Sequence, residues 1–102
     1  MKNWLLLFIL ILSLAHSELV LSGVVIDNKS KDPIPLVNIY DSVSERGIVT
    51  DDSGRFSIEL DDQNIAELMF SHIAFDNYYQ VFDNNQNELV VLMNETLIHM
   101  ND

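Results

Sequence analysis

The hydrophobic positions of the chain fall into two contrasting regions. Residues 4–14, WLLLFILILSL, form an apolar run, whereas from residue 19 onward apolar and polar residues alternate in short segments. Asn, Asp, Gly, Ser and Pro separate these segments. A period of two is typical of strands with one buried face, and no segment has the 3.6-residue period of a long amphipathic helix. The pattern predicts an N-terminal apolar segment followed by an all-β domain.

Seven segments satisfy the strand pattern. They are 19–27 (LVLSGVVID), 36–40 (LVNIY), 47–50 (GIVT), 55–60 (RFSIEL), 68–73 (LMFSHI), 78–82 (YYQVF) and 88–93 (ELVVLM). Short strands joined by turn residues without a helix are typical of two packed sheets. We therefore expect a seven-stranded antiparallel β-sandwich over residues 18–93. Residues 94–102 are expected to form a tail or linker, with a trailing edge strand as the alternative.

Glycine and proline indicate special backbone geometry at several points. Gly23 interrupts the first strand and predicts a bulge or a close approach of another backbone. Pro33 and Pro35 constrain the following loop, because proline fixes φ and has no N–H. The segment 51–54, Asp-Asp-Ser-Gly, has the composition of a tight turn. We expect it to join the third and fourth strands as a hairpin, with the apolar residues of 55–60 directed inward.

The apolar run at the N-terminus is typical of a secretory signal peptide. Lys2 precedes it, and the run is much shorter than the roughly 20 apolar residues that a membrane-spanning helix needs. Ala15 and Ser17 place small residues at the −3 and −1 positions of a peptidase site, so cleavage is predicted after Ser17, with an uncleaved amphiphilic anchor or a buried core helix as the less favoured alternatives. The chain has no cysteine, so neither lipid attachment to cysteine nor a disulfide is expected. The mature domain is predicted to be exported and to lack a membrane span.

The charge balance restricts the expected partners. Without residues 1–17 the chain has four Lys and Arg against sixteen Asp and Glu, a formal charge of −12. Nucleic acids and anionic lipid surfaces bind basic patches, so neither is an expected partner. Most of the acidic residues are interpreted as a solvated surface that keeps a small exported domain soluble. A small core without disulfides also fits a Gram-negative periplasm.

The sequence contains no recognisable set of catalytic residues. His72 and His99 lack the spacing of a zinc site, and no Gly-x-Ser-x-Gly motif is present. His72 alternates with Phe70 and Leu68, which predicts a partly buried strand residue rather than a metal ligand. The domain is therefore predicted to be non-enzymatic and to need no cofactor.

Aspartates at both ends of the fourth predicted strand are the candidate ligands for calcium. They are Asp51, Asp52, Asp61 and Asp62. They do not match the EF-hand pattern, and paired aspartates in turns usually cap the backbone. We interpret them as turn caps, with a shared calcium ion as the less favoured alternative.

The ordered segments GVVID, DPIPLVNIY, GIVTDDSGRFSIEL, LMFSHIAF and ELVVLM resemble the carboxypeptidase regulatory-like domain, a transthyretin-like Greek-key β-sandwich. The family pattern has a Gly-x-Val-x-Asp strand, a Pro-hydrophobic-Pro loop and a Thr-Asp-x-x-Gly-x-Phe hairpin. The resemblance covers about residues 19–93, and Ala74-Phe75 departs from the Gly-Tyr or Gly-Phe often found there. The matched positions are interpreted as folding determinants. They are Gly23, Pro33, Pro35, Thr50, Asp51, Gly54 and Phe56.

The resemblance implies an accessory role. Such domains commonly follow the signal peptide of TonB-dependent outer-membrane receptors of Bacteroidetes-type bacteria, ahead of the plug and barrel. It implies a module in the periplasm, or on the periplasmic face of the outer membrane, with a receptor or another periplasmic protein as partner. The chain is then a receptor fragment or a stand-alone relative.

The alternative is a transthyretin-like small-ligand binder or hydrolase. That function needs clustered His, Arg or Ser on inward strands, and hydroxyisourate hydrolases end in Tyr-Arg-Gly-Ser. This chain ends in His-Met-Asn-Asp, so the accessory module is favoured. The oligomeric state is left open.

Overall fold

The computed structural model describes residues 18–61, 63–83 and 88–97, and these contain seven β-strands. They are β1 (Glu18–Asp27), β2 (Asn38–Asp41), β3 (Arg46–Val49), β4 (Arg55–Asp61), β5 (Ile65–His72), β6 (Phe75–Asp83) and β7 (Glu88–Met93). All seven predicted strands are present, and none of the described residues is helical. The predicted all-β fold is therefore confirmed.

Both β5 and β6 begin three residues earlier than the sequence pattern predicts. The added residues include polar ones such as Asp76 and Asn77, which are exposed. Asp76 and Asn77 lie between the pairs Phe70–Tyr78 and His72–Phe75, where the β5–β6 register shifts as in a β-bulge. The polar composition of this bulge concealed the true start of β6.

The strands form two sheets that pack face to face. The three-stranded sheet has the order β4-β1-β7, and the four-stranded sheet has the order β3-β2-β5-β6. All pairs are antiparallel except β1 with β7, which is parallel. The expectation of a wholly antiparallel sandwich is wrong at this pair. A hairpin would impose an antiparallel pair, but β1 and β7 are far apart in sequence and no turn sets their relative direction.

The turn at 51–54 forms, but it does not produce the predicted hairpin. The N–H of Gly54 donates to the carbonyl of Asp51 at 2.9 Å, and the N–H of Asp51 donates to the carbonyl of Arg55 at 3.0 Å. Beyond this turn β3 pairs with β2, whereas β4 pairs with β1 in the other sheet. The chain therefore changes sheets here. Turn residues determine that the chain reverses, but they do not determine which strand pairs with the segments that follow.

The core lies between the sheets and is built from the inward face of each strand. Phe70 lies near its centre, with ring centroids 5.9 Å from Phe56, 5.8 Å from Tyr78 and 6.4 Å from Phe82. The inward direction predicted for the apolar residues of β4 is confirmed. Phe56, Ile58 and Leu60 are all buried. Burial of each such side chain contributes about 1.5–3 kcal/mol, so the alternating pattern supplies most of the driving force.

After β7 the chain crosses to the four-stranded sheet. Glu95 forms an antiparallel bridge with Phe75, and the N–H of Asp76 donates to the carbonyl of Asn94 at 2.8 Å. Residues 94–97 therefore cover the start of the β6 edge. The remainder of the predicted tail, 98–102, lies outside the described residues.

The predicted signal peptide, residues 1–17, also lies outside the described part of the chain. Within the described part there is no helix long and apolar enough to cross a membrane.

Candidate functional site

Gly23 lies where three strands come closest together. It is the register partner of Phe56 in β4 and of Leu89 in β7. A Cβ atom at this position would lie 2.1 Å from the carbonyl oxygen of Leu89. Of the two predicted alternatives, the close backbone approach is the one observed. Any side chain here would force β1 and β7 apart.

Gly54 connects the 51–54 turn to β1 and to the proline loop. Its φ of 72° is one that L side chains rarely adopt, and a Cβ would lie 2.7 Å from the Val25 oxygen. The Gly54 carbonyl accepts a 2.8 Å hydrogen bond from the N–H of Val25, whose own carbonyl accepts from Ile34 at 2.9 Å. Pro33 lies beside it and forms a bridge with Ile26. Glycine is therefore required for both conformation and space.

Thr50 closes the loop that contains Pro35. Its buried hydroxyl donates to the carbonyl of Ile34 at 2.8 Å and accepts from the N–H of Val37 at 2.9 Å. The hydroxyl thus bridges the Ile34 carbonyl and the Val37 N–H, which a hydrogen bond would join directly in an ordinary β-turn. Within this turn Leu36 has a φ of 60°, and its N–H donates to the Thr50 carbonyl at 3.2 Å. This turn explains why β2 begins two residues after the predicted start.

Asp51 and Phe56 complete this part of the structure. Asp51 Oδ1 accepts hydrogen bonds from the N–H groups of Ser53 and Arg55, both at 2.9 Å. This is the backbone capping that the turn composition predicts. Phe56 packs edge to face against Phe70.

The predicted motif residues therefore form one connected unit around β1, which we call the motif seam. It consists of Gly23, Pro33, Pro35, Thr50, Asp51, Gly54 and Phe56. The contacts given above are backbone hydrogen bonds, hydrogen bonds from the Thr50 and Asp51 side chains to the backbone, and core packing. They join the two sheets and the proline loop.

Asp41 ends β2 and lies outside the motif seam. It is fully buried. Its Oδ1 accepts from the N–H of Glu67 at 2.8 Å, and its Oδ2 accepts from the N–H and hydroxyl of Ser44 at 2.8 and 2.6 Å. The amide of Gln63 also donates to Oδ2, at 3.2 Å. One carboxylate therefore holds together the β2–β3 turn and the start of β5.

The environment of Asp41 favours its charged form. Burial alone would raise its pKa, but the hydrogen bonds from Ser44, Glu67 and Gln63 outweigh burial and lower the pKa below its ordinary value. A detectable signal was present in the sequence. Asp41 lies two residues after Ile39, so both side chains point to the inner face of the sheet. A polar residue at such a position requires buried hydrogen-bond partners.

The outer face of the four-stranded sheet carries large apolar side chains. Tyr40, Met69 and Tyr79 form a row across β2, β5 and β6, because Met69 is the register partner of both tyrosines. Three further apolar residues on β3, β5 and β6 flank this row. We call the whole set the aromatic face: Tyr40, Val49, Ile65, Met69, Tyr79 and Val81. Its side chains are 38% to 58% exposed.

Glu67 is an acidic side chain within the aromatic face, and Asp83, the register partner of Ile65, lies at the edge of the face. Its Oε1 accepts a hydrogen bond from the Ser42 hydroxyl at 2.7 Å and from the Tyr79 hydroxyl at 3.3 Å. Desolvation, followed by the negative charge of Glu67, raises the pKa of Tyr79 above its ordinary value. The phenol therefore stays protonated and remains a donor to the carboxylate at neutral pH.

The basic residues of the described chain lie away from the aromatic face. Lys29 and Lys31 follow β1, and Arg46 reaches the Glu59 carbonyl of β4 at 2.9 Å. Arg55 forms an ion pair with Glu88 on the outer face of the other sheet. The aromatic face therefore combines aromatic and aliphatic side chains with an acidic group and, among the described residues, has no cation.

Comparison with known protein families gives a clear assignment. A family model described as the CarboxypepD_reg-like domain matches residues 21–102. The chain belongs to this family. The resemblance to the carboxypeptidase regulatory-like domain is thereby confirmed: the family is a regulatory-like, non-catalytic domain, and this member of it is a β-sandwich. No curated protein matches the chain.

In this CarboxypepD_reg-like domain, one histidine lies in the described region, and it contacts neighbouring residues of the chain. His72 ends β5 and is partly buried, as predicted. Its Nδ1 accepts from the N–H of Ala74 at 3.0 Å, and its ring packs edge to face on Phe75 at 5.3 Å. These contacts fix the turn between β5 and β6. His99 lies outside the described residues.

The aspartates considered for calcium do not come together. Asp51 and Asp52 precede β4 and Asp61 ends it, and at about 3.3 Å per residue the seven-residue strand separates them by roughly 20 Å. The arrangement around one shared ion is therefore wrong, and Asp62 lies outside the described residues. Nowhere in the described ranges do three or more His, Cys, Asp or Glu side chains form a group that could hold a metal.

An open cleft lies beside the point where β3 and β4 diverge. Its apolar lining includes Ile48, Val49 and Phe56. Its charged groups already have partners, since Asp51 caps the turn and Arg55 pairs with Glu88. The cleft therefore offers an apolar surface without convergent free polar groups.

Proposed function

We propose that this CarboxypepD_reg-like domain is a non-enzymatic extracytoplasmic interaction module that binds a protein partner through its aromatic face. We further propose that the partner assembly includes a TonB-dependent outer-membrane receptor for nutrient uptake. The observation that carries the proposal is the row Tyr40–Met69–Tyr79 on the solvent side of the four-stranded sheet.

The composition of this face supports binding to a protein. A contiguous exposed apolar patch of more than about a few hundred Å² marks an interaction site on a small soluble domain. Tyrosine and methionine are enriched at the centres of protein interfaces, and tyrosine is a frequent hot-spot residue. The core and the motif seam do not include these side chains, so burial in the core does not account for their presence.

Export and the receptor association are supported by different features. The apolar run at 4–14, with small residues ahead of position 18, favours export and removal of residues 1–17. Membership of the CarboxypepD_reg-like family supports the receptor association, because the sequence resembles the modules that precede the plug and barrel of such receptors. Both features support a location in the periplasm or at the periplasmic face of the outer membrane.

The alternative of a small-ligand binder or hydrolase has weaker support. Such a site requires an inward-facing group of catalytic or polar side chains. His72 is engaged with Ala74 and Phe75, and the charged groups of the open cleft are paired. We therefore favour the interaction module.

Site-specific photo-crosslinking in the source bacterium tests the proposal. The full chain is produced with a photoreactive phenylalanine at the position of Tyr79, and a matched version carries it at Val90 on the outer face of the other sheet. We expect a crosslink from position 79, but not from 90, to an outer-membrane receptor with a plug and barrel. Fractionation should place the mature chain, beginning at Glu18, in the periplasm or envelope. Cytosolic retention, or equal crosslinking from both positions, would contradict the proposal.

A further inference from the structure

We infer that the segment bound by the aromatic face is a cationic polypeptide that presents Lys or Arg in alternation with apolar side chains along one of its faces. This inference rests on the proposed function and specifies the chemistry of the partner.

The charge distribution supplies the first argument. Glu67 lies between Met69 and Ile65 on the outer side of β5, and Val81 is its register partner on β6. Its carboxylate accepts hydrogen bonds from two hydroxyl groups, but its neighbourhood on the aromatic face contains no Lys or Arg among the described residues. The mature chain as a whole has a charge of −12. A basic partner is thus attracted both over long range and at this carboxylate.

The tyrosines supply the second argument. Tyr40 and Tyr79 lie on either side of Met69, with 40% and 58% of their surface exposed. Lys and Arg bind favourably over the faces of aromatic rings, and Arg does so most often. Met69 adapts its shape to irregular apolar surfaces. The row therefore suits a segment that presents cations to the rings and apolar side chains to the centre.

A second copy of the chain fits this face poorly. A symmetric dimer would place the same acidic surface on both sides of the interface, with Glu67 from each copy and no basic residue of the aromatic face to pair with either. Like charges across an interface disfavour association. Anionic lipid and nucleic acid fail for the same electrostatic reason.

Titration with designed peptides tests the inference. The probe is an extended peptide of the repeat Lys-Ser-Leu-Ser, which places Lys and Leu alternately on one face, and the controls are its Glu-for-Lys counterpart and a peptide of the same composition in shuffled order. Binding to the mature chain is followed by amide chemical shifts in two-dimensional NMR. We expect the largest shifts for the alternating Lys peptide at residues of β2, β5 and β6 on the aromatic face. Shifts spread over the acidic surface, equal binding of the shuffled peptide, binding of the acidic peptide or no binding at millimolar concentration would overturn it.

Two matched pairs of variants separate local chemistry from total charge. Glu67→Gln and Glu59→Gln change the net charge equally, but Glu59 lies on the outer side of β4. We expect Glu67→Gln to weaken Lys-peptide binding several-fold and Glu59→Gln to change it less than about twofold. Tyr79→Ser should weaken binding about tenfold or more, whereas Val90→Ser on the other sheet should not. Equal losses within either pair would contradict the inference.

The two proposals fail in distinguishable ways. If position 79 crosslinks to a receptor whose contacted segment lacks Lys and Arg, the inferred chemistry fails and the proposed function stands. If the Lys peptide binds the aromatic face as expected but position 79 captures no receptor, the proposed function fails and the inferred chemistry stands. Concentration-dependent dimerisation that Tyr79→Ser abolishes would show that the face binds a second copy, which contradicts the inferred chemistry.

Discussion

The motif seam and the aromatic face belong to the same small sandwich but are constrained by different physics. At the seam a single added carbon at Gly23 would lie 2.1 Å from a backbone oxygen, and the hydroxyl of Thr50 satisfies two loop groups. On the aromatic face Tyr40, Met69 and Tyr79 project into solvent from strands whose other side forms the core. The comparison shows that the family hallmark lies at close backbone contacts and loop hydrogen bonds, whereas the residues proposed to recognise a partner lie outside the hallmark.

The largest expected effect is that of a side chain at Gly23. Gly23→Ala should lower the free energy of unfolding by more than about 4 kcal/mol, or prevent folding, because the new Cβ would collide with the Leu89 backbone. The matched control is Gly47→Ala. A Cβ there would lie 3.5 Å from the nearest backbone atom, so we expect a change within about 1 kcal/mol. Urea denaturation gives both values, and similar values for the two variants would contradict the close approach.

The next effect concerns the turn between the sheets. Gly54→Val should lower the free energy of unfolding by about 3 kcal/mol, since it combines a strained φ with a contact of 2.7 Å to Val25. The thermal midpoint should fall markedly. An unchanged midpoint would show that the turn tolerates a side chain and that the motif seam has a different role.

The sequence and the structure agree where local periodicity decides the outcome. Alternation identified every strand and the inward face of β4, and turn composition identified the cap made by Asp51. Strand pairing could not be predicted in this way. No local signal assigns β3 and β4 to different sheets or orients β7 parallel to β1. The aromatic row was hidden for a related reason. Tyr40, Met69 and Tyr79 come together only through the register of strands that are distant in sequence.

An intermediate effect is expected at Asp41, which belongs to neither region. Asp41→Asn should cost about 1–3 kcal/mol at neutral pH, because an amide nitrogen cannot accept the hydrogen bonds of Ser44 and Gln63. Asp52→Asn, in an exposed turn, should change stability by less than about 0.5 kcal/mol. Guanidinium denaturation measures the difference. A loss no larger than that of the control would contradict the buried hydrogen-bond cluster.

The lowered pKa of Asp41 predicts that the stability of the domain depends on pH. The pKa of Asp41 is lowered by folding, so its contribution to stability is fully present above the ordinary value of 3.8. This contribution is lost as the pH falls from the ordinary pKa through the lower pKa that Asp41 has in the folded state. The stability difference between the original chain and Asp41→Asn should therefore be constant from pH 5 to 8 and should shrink below about pH 4. A difference that grew on acidification would contradict the lowered pKa.

A small effect of opposite sign is expected at Leu36. This exposed residue has a φ of 60°, in the left-handed region that favours glycine. Leu36→Gly should raise the free energy of unfolding by up to about 1 kcal/mol, since relief of backbone strain exceeds the entropy lost by glycine. The neighbouring exposed Asn38→Gly, within β2, should lower it instead. A decrease at both positions would contradict the strained turn at Leu36.

The central claim, that folding and recognition depend on separate residues, is tested most directly by a paired measurement on Tyr79→Ser and Thr50→Val. The free energy of unfolding and the crosslinking yield from the position of Tyr40 would be measured for both variants under conditions in which both are folded. We predict that Tyr79→Ser keeps its stability within about 0.5 kcal/mol and loses the crosslink, while Thr50→Val loses about 1–3 kcal/mol and keeps it. Loss of the crosslink only in Thr50→Val, or of stability only in Tyr79→Ser, would contradict this account.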